Sequence, residues 1–210
     1  MRRGSALGLT LASLVLAGCL FRTAEAPRFY RPASTILAKA VEEDDAERAP
    51  AATGVPIRLH GVRSAPFLRE RTVWRASSVE YGLYEQRRWF ELPSRYVKRA
   101  LTSALQTEPA LRLTEDGTAA RLEVEILAFD EVLTPTHEAL VTLAATLRAG
   151  TDKRFDRTFS SHVAIADNDG ATMAAAMGQA LDEAVHKVVK AAVKGLGPKA
   201  TAPAGRPRRQ

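Results

Sequence analysis

Leu122-Glu123-Val124-Glu125-Ile126 decides how this chain folds. Apolar and charged side chains alternate along it, the period-two pattern of a strand with one dry face and one wet face. Toward the C-terminus, Thr134-Pro135 reads as a turn. Ala139 to Leu147 follows as a second strand, with Val141, Leu143, Ala145 and Leu147 on one face. Gly150-Thr151-Asp152 turns the chain again, and Phe155, Phe159 and Val163 carry the pattern along a third strand. Asp167-Asn168-Asp169-Gly170 then leads into the longest helix. Its apolar stripe is Met173, Met177, Leu181, Ala184, Val185, Val188, Ala192 and Leu196, spaced as one helical face requires. Glu183 precedes Lys187 by four residues, the favoured order for a surface pair. Gly195 and Gly197-Pro198 stop the helix.

Toward the N-terminus a second helix opens at Pro93-Ser94, with Ser94 as its expected N-cap, and closes at Glu108-Pro109. Val97, Leu101, Ala104 and Leu105 form its stripe. Before it, Trp74, Tyr81, Tyr84, Trp89 and Phe90 place five of the thirteen aromatics within seventeen residues. Thr72–Ala76 and Val79–Tyr84 read as a hairpin around Ser77-Ser78. Ile57 and Leu59 alternate with Arg58 and His60, while Val62 falls on the opposite parity. That strand ends at Gly61 or continues past a bulge there. The order is β-β-β-α-β-β-β-α. It predicts an α+β domain over residues 56–197, a mainly antiparallel sheet with two helices packed on one face.

Residues 1–18 read as a signal peptide. Arg2 and Arg3 precede an apolar run from Ala6 to Ala17, which is shorter than the ~20 residues that span a bilayer. Leu16-Ala17-Gly18-Cys19 closes it and resembles the bacterial lipobox. Cys19 is thus the expected first mature residue and lipid attachment point, carrying a covalent diacylglycerol and an N-acyl chain. It is the only cysteine in 210 residues, so it cannot pair within the chain. Residues 19–55 read as a lipidated N-terminus and flexible acidic tether, with Glu42, Glu43, Asp44, Asp45 and Glu47 in one cluster. Such a tether has an r.m.s. reach of about 30–36 Å. Residues 198–210 read as a disordered basic tail. Leu20 stands where many inner-membrane lipoproteins carry an aspartate, so the expected address is the outer membrane, facing the periplasm.

Composition narrows the function. The formal charge of +6 falls to +4 once Arg2 and Arg3 leave with residues 1–18, which gives nucleic-acid binding little support. His60, His137, His162 and His186 lie far apart with no metal-ligand spacing. Asp167-Asn168-Asp169-Gly170 fails as a calcium loop, because the corresponding first and twelfth positions are Ile165 and Ala176. There is no nucleophile elbow, phosphate loop or dinucleotide fingerprint. The chain therefore reads as a non-enzyme, with no metal and no cofactor beyond the lipid on Cys19.

One resemblance adds a job. Pro66-Phe67-Leu68-Arg69-Glu70-Arg71-Thr72-Val73-Trp74-Arg75, Val79-Glu80-Tyr81, Arg88-Trp89 and the helix through Ala100-Leu101 and Ala104-Leu105 come in an order similar to that of the ABC-type transport auxiliary lipoproteins. Leu122-Glu123-Val124, Phe129-Asp130 and the alanine-rich last helix continue the likeness. The resemblance implies a non-catalytic lipoprotein that serves an MCE-domain protein and an ABC permease and ATPase in intermembrane lipid transport, and it allows a homo-oligomer. Phe29-Tyr30-Arg31-Pro32 departs from the tyrosine-rich strand that relatives place soon after the lipid cysteine. Tyr84, Arg88, Trp89 and Phe90 are the candidate partner contacts, since aromatic and arginine side chains carry much interface energy; core packing is the competing role for the same aromatics. The alternative functions are an outer-membrane assembly or structural lipoprotein and a periplasmic lipid-binding chaperone.

Overall fold

The structure, a computed structural model, describes residues 25–44 and 53–197. The signal peptide, Cys19 and the basic tail lie outside the described residues. In chain order the elements are β1 (Arg28–Tyr30), α1 (Thr35–Asp44), β2 (Val55–Ser64), β3 (Arg71–Arg75), β4 (Tyr81–Trp89), α2 (Pro93–Thr107), β5 (Leu111–Leu113), β6 (Ala120–Val132), β7 (Glu138–Ala149), β8 (Asp152–Ala164) and α3 (Gly170–Leu196). The α+β reading holds. The sheet is mixed: its two longest pairings, β6 with β7 and β7 with β8, are antiparallel, whereas β1–β4, β2–β5, β2–β6 and β3–β6 are parallel.

Strand β6 is the spine. One side pairs with β7 along its whole length. The other side pairs first with β2, up to Ile126 opposite Ser64, and then with β3, from Asp130 opposite Val73. The register shifts between Ile126 and Ala128, so an extra residue changes which parity faces the core. Before the shift, Leu122, Val124 and Ile126 enter the main core. After it, Phe129 does, while Ala128 and Val132 form a small cluster with Leu140. Strand β2 likewise continues through a shift between Leu59 and Gly61, which explains the broken alternation at Val62.

Helices α2 and α3 pack on the sheet and on each other, and their stripes form one core. Met177, Leu181, Val185 and Val188 are fully buried. Each such side chain contributes about 1.5–3 kcal/mol relative to exposure. Two expectations about helix ends are corrected. The N-cap of α2 is Leu92, with Pro93 at the first helical position and no side-chain cap, so Ser94 lies two residues too late. Lys187 and Glu183 do not pair with each other. Lys187 donates to the Ser160 carbonyl at 2.6 Å, and Glu183 accepts from Ser161 Oγ and from Gln179. Both thus tie α3 to β8.

The largest correction concerns the tether. Residues 28–44 belong to the fold as β1 and α1. Tyr30 lies against Gly170, where a Cβ would overlap its ring. Ala33 donates its backbone N–H to the Ala174 carbonyl at 3.0 Å. The Ala33 backbone crosses Gly178 at a distance only a glycine allows. Ser34 Oγ donates to Asp182 Oδ1, and Thr35 donates its N–H and hydroxyl to Asp182 Oδ2, both at 2.7 Å. Positions 170, 174, 178 and 182 are four apart, so one stripe of α3 cradles the segment. Period-based reading missed it because the strap holds on through backbone and polar contacts, with only Ile36 and Leu37 as buried large apolar anchors.

Candidate interaction surfaces

The β3–β4 hairpin carries the residues that the sequence singled out. Ser77 Oγ accepts from the N–H groups of Val79 and Glu80, which closes the turn. Strand β4 then runs eight steps to Trp89, about 26 Å at strand rise. At its far end β1 adds in parallel, with Phe29 opposite Arg88 and Tyr30 opposite Trp89. Partners in register share a face, so Tyr30 and Trp89 point one way and Phe29 and Arg88 the other.

The four candidate contacts separate accordingly. Trp89 is 1% exposed and packs edge-on against Phe129, with ring centroids 5.2 Å apart. It is a core residue, which corrects its assignment as a partner contact. Tyr84 and Arg88 are half-buried, and Arg87 lies 4.5 Å over the Tyr84 ring. Phe90 is 57% exposed, with the Arg31 guanidinium 4.2 Å over its ring. The turn end of the hairpin is also apolar. Val79, Tyr81 and Leu83 are exposed there, and Phe67 meets Tyr81 edge-to-face at 6.4 Å.

Between these ends, two adjacent carboxylates of β6 hold the hairpin. Asp130 is fully buried and accepts from Arg75 Nη2 at 2.6 Å, and Arg75 also stacks on Tyr81. Burial pushes the Asp130 carboxyl above the usual carboxylate range, against the pull of the Phe129 N–H and Arg75. Glu131 is equally buried and pairs with Arg87 Nη1 at 2.9 Å and His137 Nε2 at 2.7 Å. Arg87 also donates to the Asn168 carbonyl at 2.5 Å, in the loop before α3. Burial and the Glu131 charge push the Tyr84 hydroxyl up to about 12. Sequence reading missed the Glu131 cluster because its four residues come from two strands, β4 and β6, and from the loop before β7 that carries His137. The one available signal was a pair of acids inside an otherwise apolar run, Phe129-Asp130-Glu131-Val132. Both acids are engaged by arginine, so the arrangement serves to fix β3 and β4 to β6. Buried pairs of this kind are costly to break even when their net stabilisation is small.

His60 and His162 lie on the wet side of strands, as their parity predicted, and His162 pairs with Glu138 at 2.6 Å. Among the described residues, no group of three His, Cys, Asp or Glu side chains is placed to hold a metal ion. No described helix is long and apolar enough to cross a membrane.

Residues 40–189 match the model of the ABC-type transport auxiliary lipoprotein component family. The chain belongs to that family. Lipoprotein membership implies a membrane-anchored place in the cell envelope and association with an ABC-type transport system, and an auxiliary role suggests a non-catalytic one. No curated protein matches the sequence. Among solved structures, a Xanthomonas campestris protein assigned to DUF330 is similar at TM-score 0.64 and 16% identity, over 80% of this chain and 96% of that one. An uncharacterised protein is similar at TM-score 0.61 and 12% identity, over 79% and 98%. A hypothetical protein of Chlamydia trachomatis is similar at TM-score 0.50 and 8% identity, over 67% and 96%. At these identities the likeness shows a shared fold alone. It also shows that almost the whole of each neighbour is this one domain.

Proposed function

We propose that this chain is the lipid-anchored, non-catalytic docking subunit of an ABC/MCE-type intermembrane lipid transport system, held in the outer membrane through Cys19 and facing the periplasm. The family match across residues 40–189 carries this reading. The geometry of the hairpin supports a division of labour. The strap 28–35 ties the anchor-proximal chain to the Trp89 end of β4, while exposed Phe67, Val79, Tyr81 and Leu83 lie toward the turn. The body then stands with one end at the membrane and the other turned to the transport partner.

Lipidation and docking are tested separately. The Cys19→Ser chain should lose its acyl mass and leave the outer-membrane fraction; persistence in that fraction refutes the anchor. A Tyr81→Ala/Leu83→Ala variant should fold normally and bind the co-expressed MCE-domain protein more than tenfold more weakly, since two desolvated side chains of this size are each worth over 1 kcal/mol (about 1–3). Unchanged affinity refutes this docking surface.

A further inference from the structure

We infer that the outward face of β1 and the β4–α2 junction, centred on Phe29 and Phe90, is itself a membrane-contact surface that lies in the headgroup region of the anionic bilayer carrying the lipid. The inference rests on Cys19 being the anchor, and it goes further in assigning which side of the body meets the membrane.

Phe29 and Phe90 are the two most exposed phenylalanines among the described residues, at 58% and 57%. Phe29 lies on β1 on the face opposite Tyr30 and Trp89, and Phe90 is the residue that follows β4. Phe29 is in register with Arg88, two residues before Phe90, and the Phe90 N–H donates to the Tyr30 carbonyl at 2.8 Å. Two arginines flank them. Arg31 stacks on Phe90 and Arg88 is half-buried beside Phe29, while Arg95, five residues after Phe90, is exposed on the first turn of α2. None of these three has a carboxylate partner among the described residues; the nearby acids Glu25 and Glu91 are occupied by Arg28 and Arg99. Aromatic rings set among arginines suit the boundary between acyl chains and phosphates, where the ring goes inward and the guanidinium reaches the phosphate.

The length of chain decides the occupant. Six peptide steps separate Cys19 from Glu25, and nine separate it from Arg28. Fully extended, these span at most about 22 Å and 32 Å. Arg28 begins the edge strand that carries Phe29, ten peptide steps from Cys19, so the Phe29 backbone cannot stand farther from the anchor than about 36 Å. A bilayer is therefore the surface that is always within reach, and it supplies the negative charge that the arginines match.

The test uses the lipidated full-length mature protein in phosphatidylethanolamine–phosphatidylglycerol vesicles, with acylation verified by mass. Tryptophan emission of the Phe90→Trp variant, taken as the difference from the parent chain, should shift to the blue and be quenched by bromolipid. The Val79→Trp variant, at the far end of the hairpin, should stay quenched by aqueous acrylamide. In the unlipidated Cys19→Ser protein, Phe29→Ala/Phe90→Ala should lower partitioning into the same vesicles by at least about tenfold, as the loss of two inserted rings requires. A lipidated chain whose introduced indole remains in water overturns this inference alone. An indole shielded only when the MCE-domain protein is added overturns it in favour of a protein contact. A chain without acyl mass overturns the anchor and this inference together.

Discussion

Thr35 at the start of α1 donates both its backbone N–H and its hydroxyl to one carboxylate oxygen of Asp182, midway along α3, each at 2.7 Å. Ser34 Oγ donates to the other oxygen and accepts from the Leu37 N–H at 3.0 Å, so Ser34 caps α1 while Asp182 holds the cap. The carboxylate also lies where the positive end of the helix dipole favours a negative charge. This one side chain ties the segment before α1 to the core.

Asp182→Ala should therefore lower stability by about 1–3 kcal/mol, the cost of orphaning a buried cap and its donors. The loss should be local first. Limited proteolysis should cut within residues 31–40 well before the rest of the domain, and the hydrogen-exchange protection of α1 should fall more than that of β6. Equal protection in variant and parent would show that the strap is held by something else.

Gly178→Ala opposes two effects of different size. Alanine raises helix propensity by about 1 kcal/mol. Its Cβ would, however, overlap the backbone of Ala33, which cannot rotate away as a side-chain tip can. Overlap with backbone should win, and the variant should melt lower than the parent. Gly117→Ala, where nothing lies within 4 Å of a new Cβ, should leave the midpoint unchanged. A stabilised Gly178→Ala chain would mean that the strap sits farther from α3.

The central sheet and both large helices were legible because their burial is periodic: Leu122-Glu123-Val124 and the Met173–Leu196 stripe state their faces directly. The strap was not. Its contacts to Gly170, Gly178 and Asp182 are one glycine clearance or one carboxylate at a time, and a reading tuned to apolar period sees only a short polar run. Trp89 stood among the partner candidates because a cluster of aromatics reads equally as interface or as core. The register shift between the Arg71 and Val73 pairings of β3 with β4 accompanies a change of parity along β4, and Trp89 falls on the core side. Phe90, the next residue, is exposed because it follows the last core-facing residue of the strand.

Tyr84 supplies a pH dependence. Burial and the adjacent Glu131 charge raise its hydroxyl from 10.0 to about 12 in the folded state. A folded value above the unfolded one means that the protonated group contributes stability below pH 10, and that this contribution is lost as pH rises toward 12. Stability should thus fall across that alkaline window, more steeply than in Tyr84→Phe. In tyrosinate absorbance, Tyr84 should titrate late and its late step should vanish in the variant. Tyr96, also raised by burial, should remain as a second late group in both chains. A Tyr84 that titrates with the unfolded chain's value would place its hydroxyl in water rather than beside Glu131.

Trp89 and Phe90 are neighbours with opposite duties, and truncating each should separate folding from surface contact. Trp89 fills the core against Phe129 and Tyr30's side of the sheet, so Trp89→Ala should cost about 3–5 kcal/mol, much of it as cavity. Any loss of partner or membrane binding in that variant would follow from unfolding and says nothing about contact. Phe90→Ala removes a ring more than half in water, so its effect on the denaturation midpoint should correspond to no more than ~0.5 kcal/mol. Urea denaturation of the two variants measures both. If Phe90→Ala proves as destabilising as Trp89→Ala, the ring belongs to the fold and its stacking with Arg31 is a structural clasp. If the two differ as expected, Phe90 is free to act outward, beside the Phe29 that the strap places on the neighbouring strand.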